Sequence, residues 1–302
     1  MADLLADIGG TNTRFRFIGA GAPAAETAFR NADFASFAQA ADACLKQHGI
    51  RPRRFFLAIA GVVDPARTTF KLTNHPWTFD RERLKKRFGL TDCVIVNDFE
   101  ATGYALAVLK PADCVKIRPG RPAATAYLVI GPGTGLGACY ATARRNAWHV
   151  LATEAGHTTL SSHPVFRTAR RLSAEDILSG RGLAFVYRTL TRKAKNPAEI
   201  HRLAAGGDKN ARKAYDIFFA FLGDFAGNMA VVFKAFGGVY LSGAILNAPQ
   251  VADWLKQSDF GARFADKGKL APLMRRVPVF LIRTDTPALA GLRYLAARKK
   301  SA

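Results

Sequence analysis

"DIGGTNTRF", residues 7–15, sets two adjacent glycines and two threonines beside an aspartate only a few residues into the chain. Leu4, Leu5 and Ala6 lead into it and Phe15, Phe17 and Ile18 follow, so the stretch reads as strand, tight glycine turn, strand. Such a turn lets backbone approach an anion closely, because no β-carbon stands in the way. From residue 126 the pattern returns in "AYLVIGPGTGLGACYAT". One such turn alone is equally an ordinary hairpin. Two of them, about a domain length apart, predict a duplicated fold with a phosphate-facing hairpin in each half.

The second turn, "GPGTGLGA" (131–138), also fits a loose dinucleotide fingerprint through Gly133, Gly135 and Ala138, with Glu154 near the acidic position. A Rossmann loop, however, opens a helix whose N-terminus meets the pyrophosphate. Here "ACYATARRNAWHVLAT" (138–153) alternates around "RRN" and reads as a strand continuing into a second hairpin. The chain carries no G-x-x-x-x-G-K-[ST] loop. Any phosphate would therefore be bound by amides and hydroxyls at hairpin turns.

Around the two turns, strands and helices alternate, which predicts an α/β fold. "DFASFAQAADACLKQHG" (33–49) has helical spacing, an aspartate near its start and Gly49 as a stop. "FFLAIAGVV" (55–63) reads as one buried strand, "FDRERLKKRFG" (79–89) as a short helix, "CVIVNDF" (93–99) as a strand and "EATGYALAVL" (100–109) as a helix.

At 302 residues and 49% hydrophobic, the chain can bury a large core and suits two domains. Cys44, Cys93, Cys114 and Cys139 are widely spaced, with no paired or His-flanked pattern, so the expectation is free thiols in a reducing cytoplasm and no zinc site. With Asp3 and Asp7 so early, no secretory leader is expected in this stretch. "DIFFAFLGDFAGNMAVVF" (216–233) carries Asp216 and Asp224, and carboxylates at mid-bilayer are costly, so it reads as a buried helix and no membrane partner is expected. The net charge of +21 is spread over "RPRR" (51–54), "RERLKKR" (81–87), "RTARR" (167–171) and "ARKK" (297–300). That distribution predicts a solvated basic surface without specific nucleic-acid recognition.

Seven motifs, in order, carry a resemblance: "LADIGGTNTRF" (5–15), "LTNHPWTF" (72–79), "VIVNDFEATGYAL" (94–106), "IGPGTGLG" (130–137), "TEAGH" (153–157), "LSGRGL" (178–183) and "FGGVYLSGAI" (236–245). From end to end the chain resembles the bacterial glucokinases. The resemblance implies an actin-like, ribonuclease H-like α/β fold of two domains around a cleft for ATP and hexose. The first would span 1–109, completed by a C-terminal helix at about 287–302, and the second 110–286. It implies ATP-dependent phosphorylation of glucose at its 6-hydroxyl with Mg²⁺; the alternatives are another hexose, or an idle sugar-sensing homologue. A homodimer is among the assemblies it allows.

The resemblance assigns Ala6, Asp7, Ile8, Gly9, Gly10, Thr11, Asn12, Arg14, Gly133, Thr134, Gly135 and Gly243 to the nucleotide, with Asp7 reaching Mg²⁺ through water. Asn74, Asn97, Asp98, Glu154, His157 and Glu175 fall to the sugar, and Asp98 to catalysis as the base. The residue types suit the task, since sugar hydroxyls need both donors and acceptors. Asp98 ends an apolar strand, where open α/β sheets present ligands, but it also fits the cap of the next helix. Glu175 competes with Asp176, because either acid favours a helix start. Two departures from the family pattern stand out: Pro132 replaces an expected alanine and removes an N–H, and Ala155 replaces a usual glycine. The run after His157, "TTLSSHP", differs as well.

Overall fold

The computed structural model describes residues 2–23, 25–63, 68–73, 75–144, 147–160 and 171–299. The chain forms two compact units, one of residues 1–109 with 285–302, the other of residues 110–284.

In the first unit, β1 (Ala2–Ile8) and β2 (Asn12–Gly19) flank the opening turn and β3 (Thr27–Arg30) extends the hairpin. There follow β4 (Arg54–Ile59), β5 (Gly61–Val63), β6 (Thr69–Leu72), β7 (Thr78–Asp80) and β8 (Asp92–Asn97). The main sheet runs β3-β2-β1-β4-β8 with β1, β4 and β8 parallel, and β5-β6-β7 form a separate antiparallel sheet.

Because β1 and β4 are covered on both faces, they carry apolar residues on both sides, with Asp3 and Asp7 in β1 and Arg54 in β4 as the exceptions. Leu4, Ala6 and Ile8 pack with Phe37 and Cys44 of α1 (Phe37–His48) and with Leu84 of α2 (Arg81–Phe88). Leu5 turns the other way, joining Phe56, Ala58 and Val96 beneath α3 (Asp98–Ala105) and the C-terminal helix Pro287–Arg298. Strand alternation puts Asp3 and Asp7 on Leu5's face. Asp3 is neutralised there by Arg54, whose Nε and Nη2 donate to its carboxylate at 3.0 and 2.7 Å while Nη2 also reaches the Ala296 carbonyl at 3.2 Å. Gly291 lets the C-terminal helix press on α3: a β-carbon on it would stand 1.8 Å from the Ala101 carbonyl oxygen.

The second unit repeats this plan. Its strands are β9 (Cys114–Arg118), β10 (Ala126–Pro132), β11 (Leu136–Arg144), β12 (Ala147–Thr153), β13 (Gly238–Leu241) and β14 (Val279–Ile282), in the order β12-β11-β10-β13-β14-β9. As in the first sheet, two antiparallel pairings lead to a central strand that is followed by parallel neighbours, and β9 adds an antiparallel edge. The helices α4 (Ala174–Ile177), α5 (Gly180–Thr191), α6 (Pro197–Ala205) and α7 (Lys209–Val232) follow β12. Helix α7 buries Phe218, Phe219, Leu222 and Phe225 in the core. Among the described residues it is the one helix long and apolar enough to cross a bilayer, and 67% of its most apolar window is buried within the fold.

Several sequence expectations need correction. The run 55–63 is not one strand: it breaks at Ala60, and β5 belongs to the small sheet. Gly61 permits the crossing, since a β-carbon there would lie 2.0 Å from the Lys71 carbonyl oxygen. The helix expected from 33 starts at Phe37, because Ser36, not Asp33, accepts the cap bond from the Gln39 N–H. The helix expected over 79–89 begins at Arg81, with Asp80 as its cap. The strand expected to reach residue 99 ends at Asn97, and α3 ends at Ala105 instead of continuing to 109.

Candidate active site

Ile8, Ile59 and Asn97 stand in one row across β1, β4 and β8. The opening turn and Asp98 therefore leave the sheet at the same carboxyl-terminal edge, where sheets of this kind hold ligands. The turn is built around Asn31, which is 1% exposed. Asn31 donates its Nδ2 to the Gly9 carbonyl and its backbone N–H to the Thr11 carbonyl, both at 2.8 Å, and accepts the Thr13 hydroxyl at 2.8 Å. The Gly9 N–H closes on the Asn12 carbonyl at 3.0 Å. Among the described residues, the amides of Gly10 and Thr11 are left without a protein acceptor.

Asp7 sits just before this turn, in register with Arg14 on β2. Burial pushes its carboxyl up to about 6; Arg14 offsets part of that rise and Glu26 adds to it. Glu26 is itself held by Arg16 at 2.8 Å and by the Thr286 hydroxyl at 3.1 Å.

At the end of β8, Asn97 is the helix cap: its Oδ1 accepts from Phe99 at 2.8 Å and Glu100 at 3.4 Å, and its Nδ2 donates to the Gly61 carbonyl at 3.2 Å. Asp98, expected as the alternative cap, is the first helical residue, with its Oδ1 3.0 Å from the Phe99 N–H. Asn74 lies outside the described residues.

In the second unit the turn Gly133–Thr134–Gly135 again stands at a carboxyl edge, where Ile130 pairs with Leu241 and Leu241 with Leu281. Three bonds fix it. The Gly133 N–H donates to the Gly135 carbonyl at 2.8 Å, the Gly180 N–H to the Gly133 carbonyl at 2.8 Å, and the Leu136 N–H to Glu175 Oε2 at 2.9 Å. The amides of Thr134 and Gly135 have no protein acceptor among the described residues. A β-carbon on Gly133 would meet no atom within 4 Å, so packing does not require that glycine. Gly243, at φ +108°, is required: a β-carbon there would lie 2.3 Å from the Pro132 carbonyl oxygen.

"TEAGH" leaves β12 as a short helical turn over Ala155–His157. Glu154 and His157 are exposed, with His157 Nε2 3.8 Å from Glu154 Oε2. Gly156 holds this loop against the strand that follows the glycine turn, since its β-carbon would stand 2.3 Å from the Leu136 carbonyl oxygen. The extra methyl of Ala155 is absorbed into the core. Glu175 and Asp176 separate cleanly. Asp176 and Ser173 form a reciprocal capping box that starts α4, whereas Glu175 faces the glycine turn and also binds Arg181 at 3.0 Å. Asn31 was not marked by the sequence, because it braces the turn at Gly9 from 22 residues away, a distance that no local pattern records; Arg181 falls within the quoted "LSGRGL" (178–183) but was not singled out there.

Comparison with known proteins identifies the family. The family model described as Glucokinase matches residues 4–299. A glucokinase from Paramagnetospirillum magneticum is 35% identical over 99% of this chain and 98% of its own, and one from Cupriavidus metallidurans is 36% identical over 98% and 93%. The crystal structure of a glucokinase from an Antarctic psychrotroph, 30% identical, superposes with a TM-score of 0.85 over 98% of this chain and 99% of that one. A ROK-family glucokinase from Streptomyces griseus, solved with glucose and AMPPNP, shares the fold at 18% identity, with a TM-score of 0.72. With two glycine turns on repeated sheets, and with relatives matched along nearly their whole length, the chain belongs to the glucokinase family.

Proposed function

We infer that the chain transfers the terminal phosphoryl group of ATP to the 6-hydroxyl of glucose, giving glucose 6-phosphate and ADP. The observation that carries this reading is the repetition, at the carboxyl edge of each unit's sheet, of a glycine turn with two unengaged amides, together with Asp98 beside the first.

Asp98 accepts the proton of the 6-hydroxyl as that oxygen attacks phosphorus, and the amides of Gly10, Thr11, Thr134 and Gly135 receive charge on the phosphates. Glu154, His157 and Glu175 hold hydroxyls that do not react, the first two exposed and within reach of each other, with Asn74 and Asn97 in support. Asp7 suits a divalent cation: it is a desolvated carboxylate beside the turn. Mg²⁺ bound there would neutralise charge on the transferring phosphates. The free thiols of Cys44, Cys93, Cys114 and Cys139 suit a reducing cytoplasm.

A coupled phosphorylation assay over hexoses and phosphoryl donors tests the reading. Glucose with Mg-ATP should be turned over faster than mannose, fructose or N-acetylglucosamine. A better sugar would replace glucose as the substrate, and no turnover with any would favour the sugar-sensing alternative.

A further inference from the structure

The two glycine turns differ in charge. The first has Arg14 directly opposite Asp7 in its ladder. The second, "GPGTGLG" (131–137), contains no basic residue, and its Pro132 lacks an N–H. A nucleoside triphosphate is a polyanion whose charge a few amides offset only in part.

The fold brings a cation to the second turn from another element. Arg181 is the second residue of α5, whose start is fixed against the turn by the Gly180 N–H on the Gly133 carbonyl. Ser179, fully buried, caps the same helix by accepting the Gly182 N–H at 3.1 Å. From this anchored position Arg181 Nη2 reaches Glu175 Oε1 at 3.0 Å. The other oxygen of that carboxylate accepts the Leu136 N–H and lies 2.5 Å from where a β-carbon on Gly135 would stand. One carboxylate thus separates the guanidinium from the turn. The Arg181 side chain is 80% exposed and that of Glu175 22% exposed. A pair so open to water is weakly held, whereas a guanidinium binds phosphate oxygens in a bidentate, charge-assisted fashion.

We propose that Arg181 binds the terminal phosphates of the nucleotide, serving the second turn as Arg14 serves the first, and rests on Glu175 until a nucleotide arrives. This builds on the reading of Gly133–Gly135 as a nucleotide turn.

Calorimetry on the full chain tests it, titrating Mg-AMPPNP and, separately, AMP into the wild type, Arg181→Gln and Arg181→Lys. Arg181→Gln should weaken AMPPNP roughly tenfold and flatten its salt dependence while leaving AMP affinity unchanged, and Arg181→Lys should recover part of the loss. Equal weakening of AMPPNP and AMP would mean that Arg181 only shapes the turn through Glu175. Unchanged AMPPNP affinity would make it a surface ion pair. Either result overturns the proposal. Absence of AMPPNP binding by the wild type would overturn both the nucleotide turn and the proposal. AMPPNP binding that depends on Arg181 in a chain that does not phosphorylate glucose would sustain the proposal and overturn only the glucose assignment.

Discussion

Asn97 and Asp98, neighbours in the chain, share the Phe99 amide at the start of α3, but Asn97 holds it at the shorter distance and alone also accepts the Glu100 amide, so the cap rests mainly on Asn97. Asp98→Asn should therefore lower kcat by roughly 10² to 10⁴ fold, the range for losing a positioned base, with little change in melting temperature or glucose affinity. Asn97→Ala should instead destabilise the protein by about 1 kcal/mol through the lost cap, and further through the freed Gly61 carbonyl. Near-normal kcat in Asp98→Asn, with normal glucose binding by calorimetry, would move the base elsewhere.

Asp7 predicts a conflict between stability and function. Its carboxyl is raised from 3.8 to about 6 by burial, so the folded state binds the proton more readily than the unfolded chain does. Stability contributed by this group is then present below about pH 4 and is lost as the pH rises toward about 6. Asp7→Asn, measured without Mg²⁺ or nucleotide, should be neutral near pH 4 and stabilising by up to about 3 kcal/mol at pH 8, while depressing activity. Equal effects on urea midpoints at the two pH values would contradict it.

Gly291→Ala should be severe. Its β-carbon would meet the Ala101 carbonyl oxygen at 1.8 Å and the Ala105 nitrogen at 2.9 Å, both backbone atoms of α3. Such overpacking costs about 1–3 kcal/mol or more. Because α3 carries Asp98 at its first residue, kcat should fall as well. Chemical denaturation and the coupled assay read the two effects separately.

The Asp3–Arg54 pair, 4% and 9% exposed, should behave as a buried pair does when one partner is lost. Arg54→Met should cost about 3–5 kcal/mol, because it strands the Asp3 carboxylate beside Leu5 and Phe56. Adding Asp3→Leu should recover much of that loss. A double variant no more stable than the single one would show that the guanidinium's bond to Ala296 matters more than the charge pair.

The repeated plan was legible because β1 and β10 are apolar runs ending in glycine turns, a signal that survives whatever packs around them. The break at Ala60 was not, since "FFLAIAGVV" is apolar throughout and only Gly61 hints that the chain changes sheets. Asp33 and Ser36 are both good caps, as are Asn97 and Asp98, and sequence alone does not choose between adjacent candidates. Asp176 against Glu175 was decidable only once the Ser173 box was seen to use Asp176. Asn31 gave no signal, because a buried amide bracing a turn from another strand's end looks like any loop asparagine.

The first unit is interrupted in sequence: residues 110–284 lie between its sheet and the helix Pro287–Arg298 that covers one face. During synthesis, residues 110–284 are contiguous and can fold while Leu5, Phe56 and Val96 still lack their cover. The usual order, in which the N-terminal domain of a nascent chain matures first, cannot run to completion here, because the first unit lacks its covering helix until residues 110–284 have been made. Removing residues 287–298 would leave both glycine turns in the sequence yet uncover Leu5, Phe56 and Val96 and take away the helix that presses on α3, so a change far along the chain would loosen the ground on which Asp98 stands.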